Sequence, residues 1–302
     1  MKRLLVRLLI FGAIFIFIDI LIGEFFVGID SKAIGGNTAR HNMVVYKTKA
    51  DILFMGGSRC LHHYDSKIIA DSLKLTCWNA GQGGHGILMM YPFYKMLSKR
   101  YTPKLIVYDL WVWDVEKDDN TKYLEWIRRF YGVKEVDSII WDIAPNERYK
   151  MLCRSYRYNG NALDMISDMF RETQPNIMGF IPNEGRIKNI LKKRSRQGFK
   201  TLPIDPLKKK YLIKLILDCK HNNTKIVFMV SPYYGNSVIN SYYAVIKRLC
   251  FKYNVPFIDH EGDKDFQDPK YFCNEAHLNR IGAEKYSKLI VPEIRDIFSN
   301  NK

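Results

Sequence analysis

The fold is decided by the stretch Ala50-Asp51-Ile52-Leu53-Phe54-Met55-Gly56-Gly57-Ser58-Arg59, in which an apolar run meets two glycines and a serine. The run is too short for a helix and predicts a buried strand. The glycines allow a sharp turn with positive φ. A helix that begins at Ser58 would direct its N–H groups and the positive end of its dipole toward an anion. The turn favours a nucleophilic serine, although phosphate-binding turns and plain helix caps share the pattern.

Outward from this turn, predicted strands and helices alternate along the chain. The predicted strands are 51–55, 74–78, 104–110, 224–230 and 255–258, and the predicted helices are 63–72, 86–100, 206–221, 237–253 and 280–298. This alternation predicts an α/β three-layer sandwich with a mainly parallel, flavodoxin-like sheet. The stretch at about 115–205 breaks the pattern and predicts a helical insertion, whose aromatic residues would form core or shape a sugar site.

The N-terminal segment is apolar enough to enter a membrane. Lys2, Arg3 and Arg7 precede a run from Leu8 to Val27, and about 20 residues at 1.5 Å rise span the ~30 Å hydrocarbon core. A cleaved signal peptide is the alternative. The length of the run and the lack of a small-x-small cleavage site favour a signal anchor over residues 1–28.

This anchor sets the predicted topology. Basic residues at the N-terminus favour a cytoplasmic position for that end. The chain is therefore expected to cross the cytoplasmic (inner) membrane once, through residues 8–27, with its domain facing the periplasm or cell exterior. Residues 29–49 read as a polar linker, and residues 50–302 as the α/β domain.

The chain is strongly basic, with a formal net charge of +16 over 302 residues. Ten Lys and Arg residues lie between Arg186 and Lys210, against one acid, Asp205. Because the domain is expected to face away from the cytoplasm, nucleic acid is not the expected partner of this stretch. We expect either a solvated loop near anionic lipid or glycopolymer, or simply an exposed loop. The six cysteines form no CxxC pair, which argues against a zinc ribbon or thioredoxin-like site. His62-His63 with Asp65 is a weak metal candidate because no second cluster accompanies it, so no metal site and no cofactor is predicted.

A general base for Ser58 is available in the last third of the chain. His277 lies in the stretch Phe272-Cys273-Asn274-Glu275-Ala276-His277, in a loop after the final predicted strand and before a predicted helix. The carboxyl ends of parallel strands share one edge of a sheet, so Ser58 and His277 are expected to meet there.

Three segments together resemble the SGNH/GDSL hydrolase superfamily: Gly56-Gly57-Ser58-Arg59, Trp78-Asn79-Ala80-Gly81-Gln82-Gly83-Gly84 and His277-Leu278-Asn279-x-x-Gly282-Ala283. The resemblance covers about 50–110 and 222–298, and is closest to a membrane-anchored branch typified by alginate O-acetylation and lipoteichoic-acid D-alanylation proteins. It implies that Ser58 is the nucleophile and His277 the base, and that the backbone N–H groups of Ser58 and Gly81 form the oxyanion hole.

The resemblance implies an extracytoplasmic serine esterase or O-acyltransferase that acts on cell-surface polysaccharide through an acyl-Ser58 intermediate, with a membrane-bound O-acyltransferase as its possible partner. Four further residues near the predicted site are candidates for substrate binding: Arg59, Asn79, His85 and Asp109.

Two departures from the family pattern bear on activity. The third strand ends in Val107-Tyr108-Asp109-Leu110-Trp111-Val112-Trp113-Asp114, without the asparagine that the family uses at the oxyanion. Asn274 stands where the family has the aspartate that orients the histidine. Glu275, Asp268 or Asp259 could supply the missing carboxylate. The alternative function is a catalytically impaired protein that binds glycan or a membrane acyltransferase partner.

Overall fold

The computed structural model describes residues 1–171, 177–187, 203–235 and 240–299. The chain divides into two contact units, one of Met1–Met43 with Asp119–Thr173 and one of Val44–Asp118 with Gln174–Lys302. The central part of the cationic stretch between Arg186 and Lys210 lies outside the described residues, so its partner stays a prediction.

The helices and strands of the described residues follow the chain in this order. The α-helices are α1 (Lys2–Lys32), α2 (Gly36–Asn42), α3 (Ser58–His63), α4 (Ser66–Leu73), α5 (Ile87–Leu97), α6 (Leu124–Ile127), α7 (Lys134–Ile143), α8 (Glu147–Lys150), α9 (Ala162–Asp168), α10 (Pro206–His221), α11 (Asn240–Lys252) and α12 (Arg280–Ser299). The strands are β1 (Ile52–Gly56), β2 (Cys77–Asn79), β3 (Leu105–Asp109), β4 (Lys225–Val230), β5 (Phe257–Asp259), β6 (Phe272–Asn274) and β7 (His277–Leu278). Single 3-10 or π turns lie at Met43–Lys47, Val112–Asp114, Asn120–Tyr123, Arg128–Phe130, Ser155–Tyr158, Lys264–Phe266 and Pro269–Tyr271.

The second unit is built on a five-stranded parallel sheet with the order β2-β1-β3-β4-β5. This is the flavodoxin-like order, in which the chain reverses direction across the sheet between β1 and β3. The predicted α/β fold and all five predicted strands are confirmed. Ligands of such sheets bind outside the carboxyl ends of the strands at this switch point.

Both faces of the sheet are buried, as continuous apolar strands require. Ile52, Phe54, Val107, Val227 and Met229 join one core cluster with residues of α3, α4 and α12. The alternate residues of β1, β3 and β4 are also buried, on the side where α5 packs against β1, and α10 against α5 and β4. These helices cover the two faces of the sheet and form the outer layers of the sandwich.

The first unit contains α1 and the short helices of the insertion between β3 and β4. α1 is long and apolar enough to cross a membrane by length and composition. The segment predicted as a linker, 29–49, is largely helical, because α1 continues to Lys32 and α2 follows. Its Ile29 packs with Tyr158 and Met165 in a small core.

The sequence missed the antiparallel hairpin of β6 and β7. Each strand has at most three residues, too few for a period-2 pattern to show. This hairpin carries Asn274 and His277. The predicted helix 237–253 is observed as α11, and residues 236–239 lie outside the described part of the chain.

Candidate active site

The turn between β1 and α3 requires both of its glycines. Gly56 has φ +146°, and a Cβ there would lie 2.6 Å from the Asp109 carbonyl oxygen. A Cβ on Gly57 would lie 2.9 Å from the His85 carbonyl oxygen. The absence of these side chains lets the chain turn tightly against β3, so that Ser58 becomes the first residue of α3 at the carboxyl edge of the sheet.

Ser58 and His277, 219 positions apart in sequence, are joined by a hydrogen bond. The Ser58 Oγ lies 2.7 Å from the His277 Nε2. On the other side of the ring, the His277 Nδ1 lies 2.9 Å from the Asn274 Oδ1. Two hydrogen bonds therefore link Ser58 to His277 and His277 to Asn274, which is the arrangement of nucleophile, base and orienting group in a catalytic triad.

The orientation of the Asn274 amide is fixed by the backbone. Its Oδ1 also accepts the N–H groups of Ala276 and His277, each at 3.0 Å. An amide nitrogen at this position would face these two N–H donors, so the oxygen must occupy it and face the ring. The His277 Nδ1 then carries the proton and its Nε2 is left as the acceptor for the Ser58 hydroxyl. Asn274 therefore holds the tautomer in which the His277 Nε2 can accept a proton.

The three carboxylates considered as substitutes have other partners. Glu275 accepts from the Tyr233 hydroxyl at 3.3 Å. Asp268 pairs with Lys270 at 2.8 Å, and Asp259 with Lys247 at 3.4 Å. The group behind the His277 imidazole is therefore the Asn274 amide.

Without an adjacent anion, His277 is a weak base. Burial lowers its pKa to about 4, and the nearby His62 and Arg59 act in the same direction. The His62 ring lies 5.8 Å from the His277 ring, edge to face. The imidazole is thus neutral at physiological pH and available to accept a proton, but its protonated form is poorly stabilised.

A second histidine, His63, holds the backbone beside His277. Its Nε2 accepts the Leu278 N–H at 2.9 Å, so the Nδ1 carries the proton and donates to the Ser231 Oγ at 2.8 Å. Burial holds the pKa of His63 well below its usual value, which keeps this neutral form. Sequence reasoning weighed His63 only as part of a weak metal candidate and assigned no role to Ser231. The position of Ser231 directly after β4, at the carboxyl edge of the sheet, was the available signal.

Ser231 also fixes Arg59 and Asp109. Its Oγ accepts from the Arg59 Nε at 3.2 Å, and its carbonyl oxygen accepts from the Arg59 Nη2. Its N–H donates to the Asp109 Oδ1 at 3.0 Å. The Arg59 guanidinium stacks 4.1 Å from the centre of the Trp111 ring. Burial raises the pKa of Asp109, although the charge of Arg59 acts in the opposite direction.

The predicted roles of Gly81 and Asn79 differ from their observed contacts. The Gly81 N–H donates to the Asn79 Oδ1 at 2.9 Å, so this donor is already engaged. The Asn79 Nδ2 donates to the carbonyl oxygens of Cys60 and Tyr64, and the side chain is fully buried. Asn79 therefore ties β2 to α3 rather than facing a substrate, and an oxyanion could use the Gly81 N–H only if its bond to Asn79 opened.

A pocket of about 260 Å³, its open mouth included, lies beside Ser58. It is lined by Gly57, Ser58, Arg59, His85, Asp109, Trp111, Trp113 and Asp114. Three of the four predicted substrate-binding residues, Arg59, His85 and Asp109, therefore lie at this pocket. Burial lowers the pKa of His85 to about 4 and raises that of Asp114 to about 6.

The remaining residues of the histidine motif are structural. The Asn279 Oδ1 accepts the Gly282 N–H at 3.0 Å and caps α12, while its Nδ2 donates to the carbonyls of Gly185 and Lys270. A Cβ on Gly282 would lie 2.2 Å from the Tyr271 carbonyl oxygen. Asn279 and Gly282 thus dock α12 and fix the loop that carries His277.

No protein-family model matches the chain, and no curated protein does. Several solved structures are similar in fold. A candidate platelet activating factor from Streptococcus pneumonia is 13% identical, with a TM-score of 0.45 and coverage of 88% of this chain and 91% of that one. A candidate acylhydrolase from Bacteroides fragilis is 14% identical, with a TM-score of 0.41 and coverage of 87% and 97%.

An acetylxylan esterase from Geobacillus stearothermophilus is 11% identical, with a TM-score of 0.43 and coverage of 84% of this chain and 98% of that one. At these identities and TM-scores the likeness assigns no family to the chain. The chemistry of the site is therefore inferred from its own residues.

Proposed function

We propose that this protein is a membrane-anchored serine esterase or O-acyltransferase of the SGNH type, working through an acyl-Ser58 intermediate. The observation that carries the proposal is the hydrogen-bonded row of Ser58, His277 and Asn274. Its geometry supplies a nucleophile, a neutral base in reach of the hydroxyl proton and an amide that fixes the tautomer of that base.

The reaction would proceed in two steps. The Ser58 Oγ attacks an ester carbonyl while the His277 Nε2 takes the hydroxyl proton. The imidazolium then returns this proton to the departing alcohol, which leaves an acyl ester on Ser58. An acceptor hydroxyl or water next attacks that ester and loses its proton to His277. The acyl–Oγ bond breaks, the imidazolium gives the proton to the Ser58 Oγ, and the acylated acceptor leaves.

Two features support a sugar hydroxyl on cell-surface glycopolymer as the acceptor. Trp113, at the edge of the pocket, is 45% exposed and offers a flat ring for a pyranose face. The apolar α1 would keep the domain at a membrane surface, where a membrane-bound O-acyltransferase could supply the acyl group.

The intermediate gives a direct test of transfer. The full chain in detergent, mixed with a short-chain aryl ester, is expected to accumulate a single acyl adduct on Ser58, detected by mass spectrometry of the digested protein. Addition of a glycan acceptor should discharge the adduct faster than water does. Discharge at the same rate with and without every glycan tried would leave an esterase and contradict transfer.

A second candidate function is favoured by one specific observation, the amide at Asn274 in place of an acid. A protein with a weakened base could bind glycan without turnover. It would show glycan binding by calorimetry with no adduct on Ser58, whereas the enzyme forms the adduct.

A further inference from the structure

α1 is not a free tether, because a buried carboxylate joins it to the insertion. The Asp19 carboxylate accepts the Arg154 N–H at 2.7 Å and the Ser155 N–H at 2.9 Å. It also accepts from the Ser155 hydroxyl at 2.7 Å and the Cys153 thiol at 2.8 Å. Asp19 is 9% exposed. The loop at 153–155 is therefore fixed to one level of the helix.

That level can be compared with the thickness of a bilayer. A spanning helix needs about 20 residues to cross the ~30 Å hydrocarbon core. Even if the span begins as early as Leu4 rather than Leu8, with the longer Arg7 side chain reaching back to the cytoplasmic interface, Asp19 is only its sixteenth residue. The carboxylate then lies about 6 Å inside the outer boundary of the hydrocarbon, at 1.5 Å rise per residue.

The backbone N–H groups of the loop are hydrogen-bonded within the protein, as a position inside the membrane requires. Irregular backbone at membrane depth is tolerated only where its polar groups are bonded within the protein. Here the N–H groups of Arg154 and Ser155 are taken by Asp19, the Leu152 N–H donates to the Tyr149 carbonyl and the Cys153 N–H to the Lys150 carbonyl. The same contacts satisfy a charge that would otherwise be costly in lipid.

The side chains before the loop match a membrane interface. Leu152 is 74% exposed and Tyr149 is 66% exposed. Cationic residues alternate with them at Arg148 and Lys150. Exposed apolar and aromatic groups among cations are the composition that binds the boundary between phospholipid headgroups and acyl chains.

We propose that residues 148–155 of the insertion are embedded in the outer leaflet of the membrane that α1 crosses, with Leu152 among the acyl chains and Tyr149 at the headgroups. The proposal rests on the anchoring part of the proposed function but not on catalysis. In this placement, residues 148–155 contact lipid rather than water.

Depth-dependent quenching tests this placement in the full chain. Ile14 and, separately, Leu152 are replaced by a fluorescent non-canonical residue, and each protein is reconstituted in phosphatidylethanolamine and phosphatidylglycerol vesicles that contain acyl-chain spin-labelled lipid. We expect quenching at position 152 to be at least about half of that at position 14, together with protection from iodide in the buffer.

Quenching at 14 with full iodide access at 152 would overturn the embedding while leaving the anchor intact. Iodide access at both positions would overturn the anchor and the embedding together. Neither result bears on the reactivity of Ser58, so the catalytic proposal stands or falls separately.

Discussion

At the scale of single residues, the proposed activity depends on Asn274. An amide in place of the triad acid usually slows a serine enzyme by about 10⁴, partly through the wrong histidine tautomer and partly through lost stabilisation of the imidazolium. Two backbone N–H groups hold the Asn274 oxygen toward His277, so the first part of this penalty does not apply. The second part remains, because among the described residues no carboxylate offsets the burial and the cationic neighbours that lower the pKa of His277.

Restoring the acid should therefore raise the rate. In Asn274→Asp the new carboxylate raises the pKa of His277 and stabilises the imidazolium, and we expect kcat/KM for a short-chain aryl ester to rise at least tenfold, about 1.4 kcal/mol. Asn274→Ala is the matched control and should fall below the native chain. Equal rates for all three proteins would show that His277 needs no orienting group.

The native pH profile should extend unusually far into acid. Catalysis needs neutral His277, whose pKa is about 4, so kcat/KM should stay level from pH 7 to about pH 5 and halve near pH 4. The pH dependence of ester hydrolysis, with Ser58→Ala as the blank, gives the measurement. A midpoint near pH 6.5 would mean that the imidazole is not depressed by burial and its cationic neighbours.

At the scale of elements, the β1–α3 turn and the β6–β7 hairpin hold Ser58 and His277, the two groups proposed to react. The sequence predicted the strand and the glycine turn with Ser58 at a helix start, because Gly-Gly-Ser after an apolar strand is a local pattern. The predicted helix 63–72 begins too late, because α3 covers Ser58–His63 and a second helix, α4, covers Ser66–Leu73. The hairpin was missed because strands of at most three residues show no alternating pattern of apolar and polar residues. The link of His63 to Leu278 could not be predicted either, since it joins residues 215 positions apart.

The turn predicts a specific loss of stability. Gly56→Ala would place a Cβ 2.6 Å from the Asp109 carbonyl oxygen at a positive φ, and we expect a loss of about 2 kcal/mol or more in the free energy of unfolding. Gly83→Ala is the control, because a Cβ at that position would have no atom within 4 Å. Urea unfolding measures both, and similar losses would contradict this account of the turn.

His63 should act through position rather than by contact with substrate. His63→Leu removes the acceptor for the Leu278 N–H, so the His277 loop loses a restraint and kcat should fall about tenfold with little change in KM. His63→Gln, which offers both an acceptor and a donor, should recover part of this loss.

A core variant separates position from general stability. Ile290→Ala truncates a buried residue of α12 and should lower the unfolding midpoint at unchanged kcat. If Ile290→Ala and His63→Leu reduce kcat in proportion to their loss of stability, His63 has no special role.

At the scale of the whole molecule, the α/β order followed from the alternation of apolar runs, because a parallel sheet needs helices to cover both faces. The separate unit of α1 and the insertion did not follow, since its small core joins Ile29 to residues more than a hundred positions away. Residues 29–49 read as a linker because their composition is polar, and the packing of Ile29 is therefore not predicted by the sequence.

The first unit should therefore depend on α1 for its stability. Ile29→Asp would bury an unpaired charge in the core with Tyr158 and Met165. Hydrogen exchange measured by mass spectrometry is expected to accelerate in α9 while the strands of the sheet keep their protection. Unchanged exchange in α9 would show that the insertion folds without α1.

The central claim is that Ser58 is a nucleophile activated by His277. The most direct measurement is labelling of the full chain with a fluorophosphonate, read by intact mass and peptide mapping. We predict one adduct, located on Ser58, absent in Ser58→Ala and formed at least a hundredfold more slowly in His277→Ala. A folded native chain that forms no adduct, or an adduct that survives Ser58→Ala, would contradict the account.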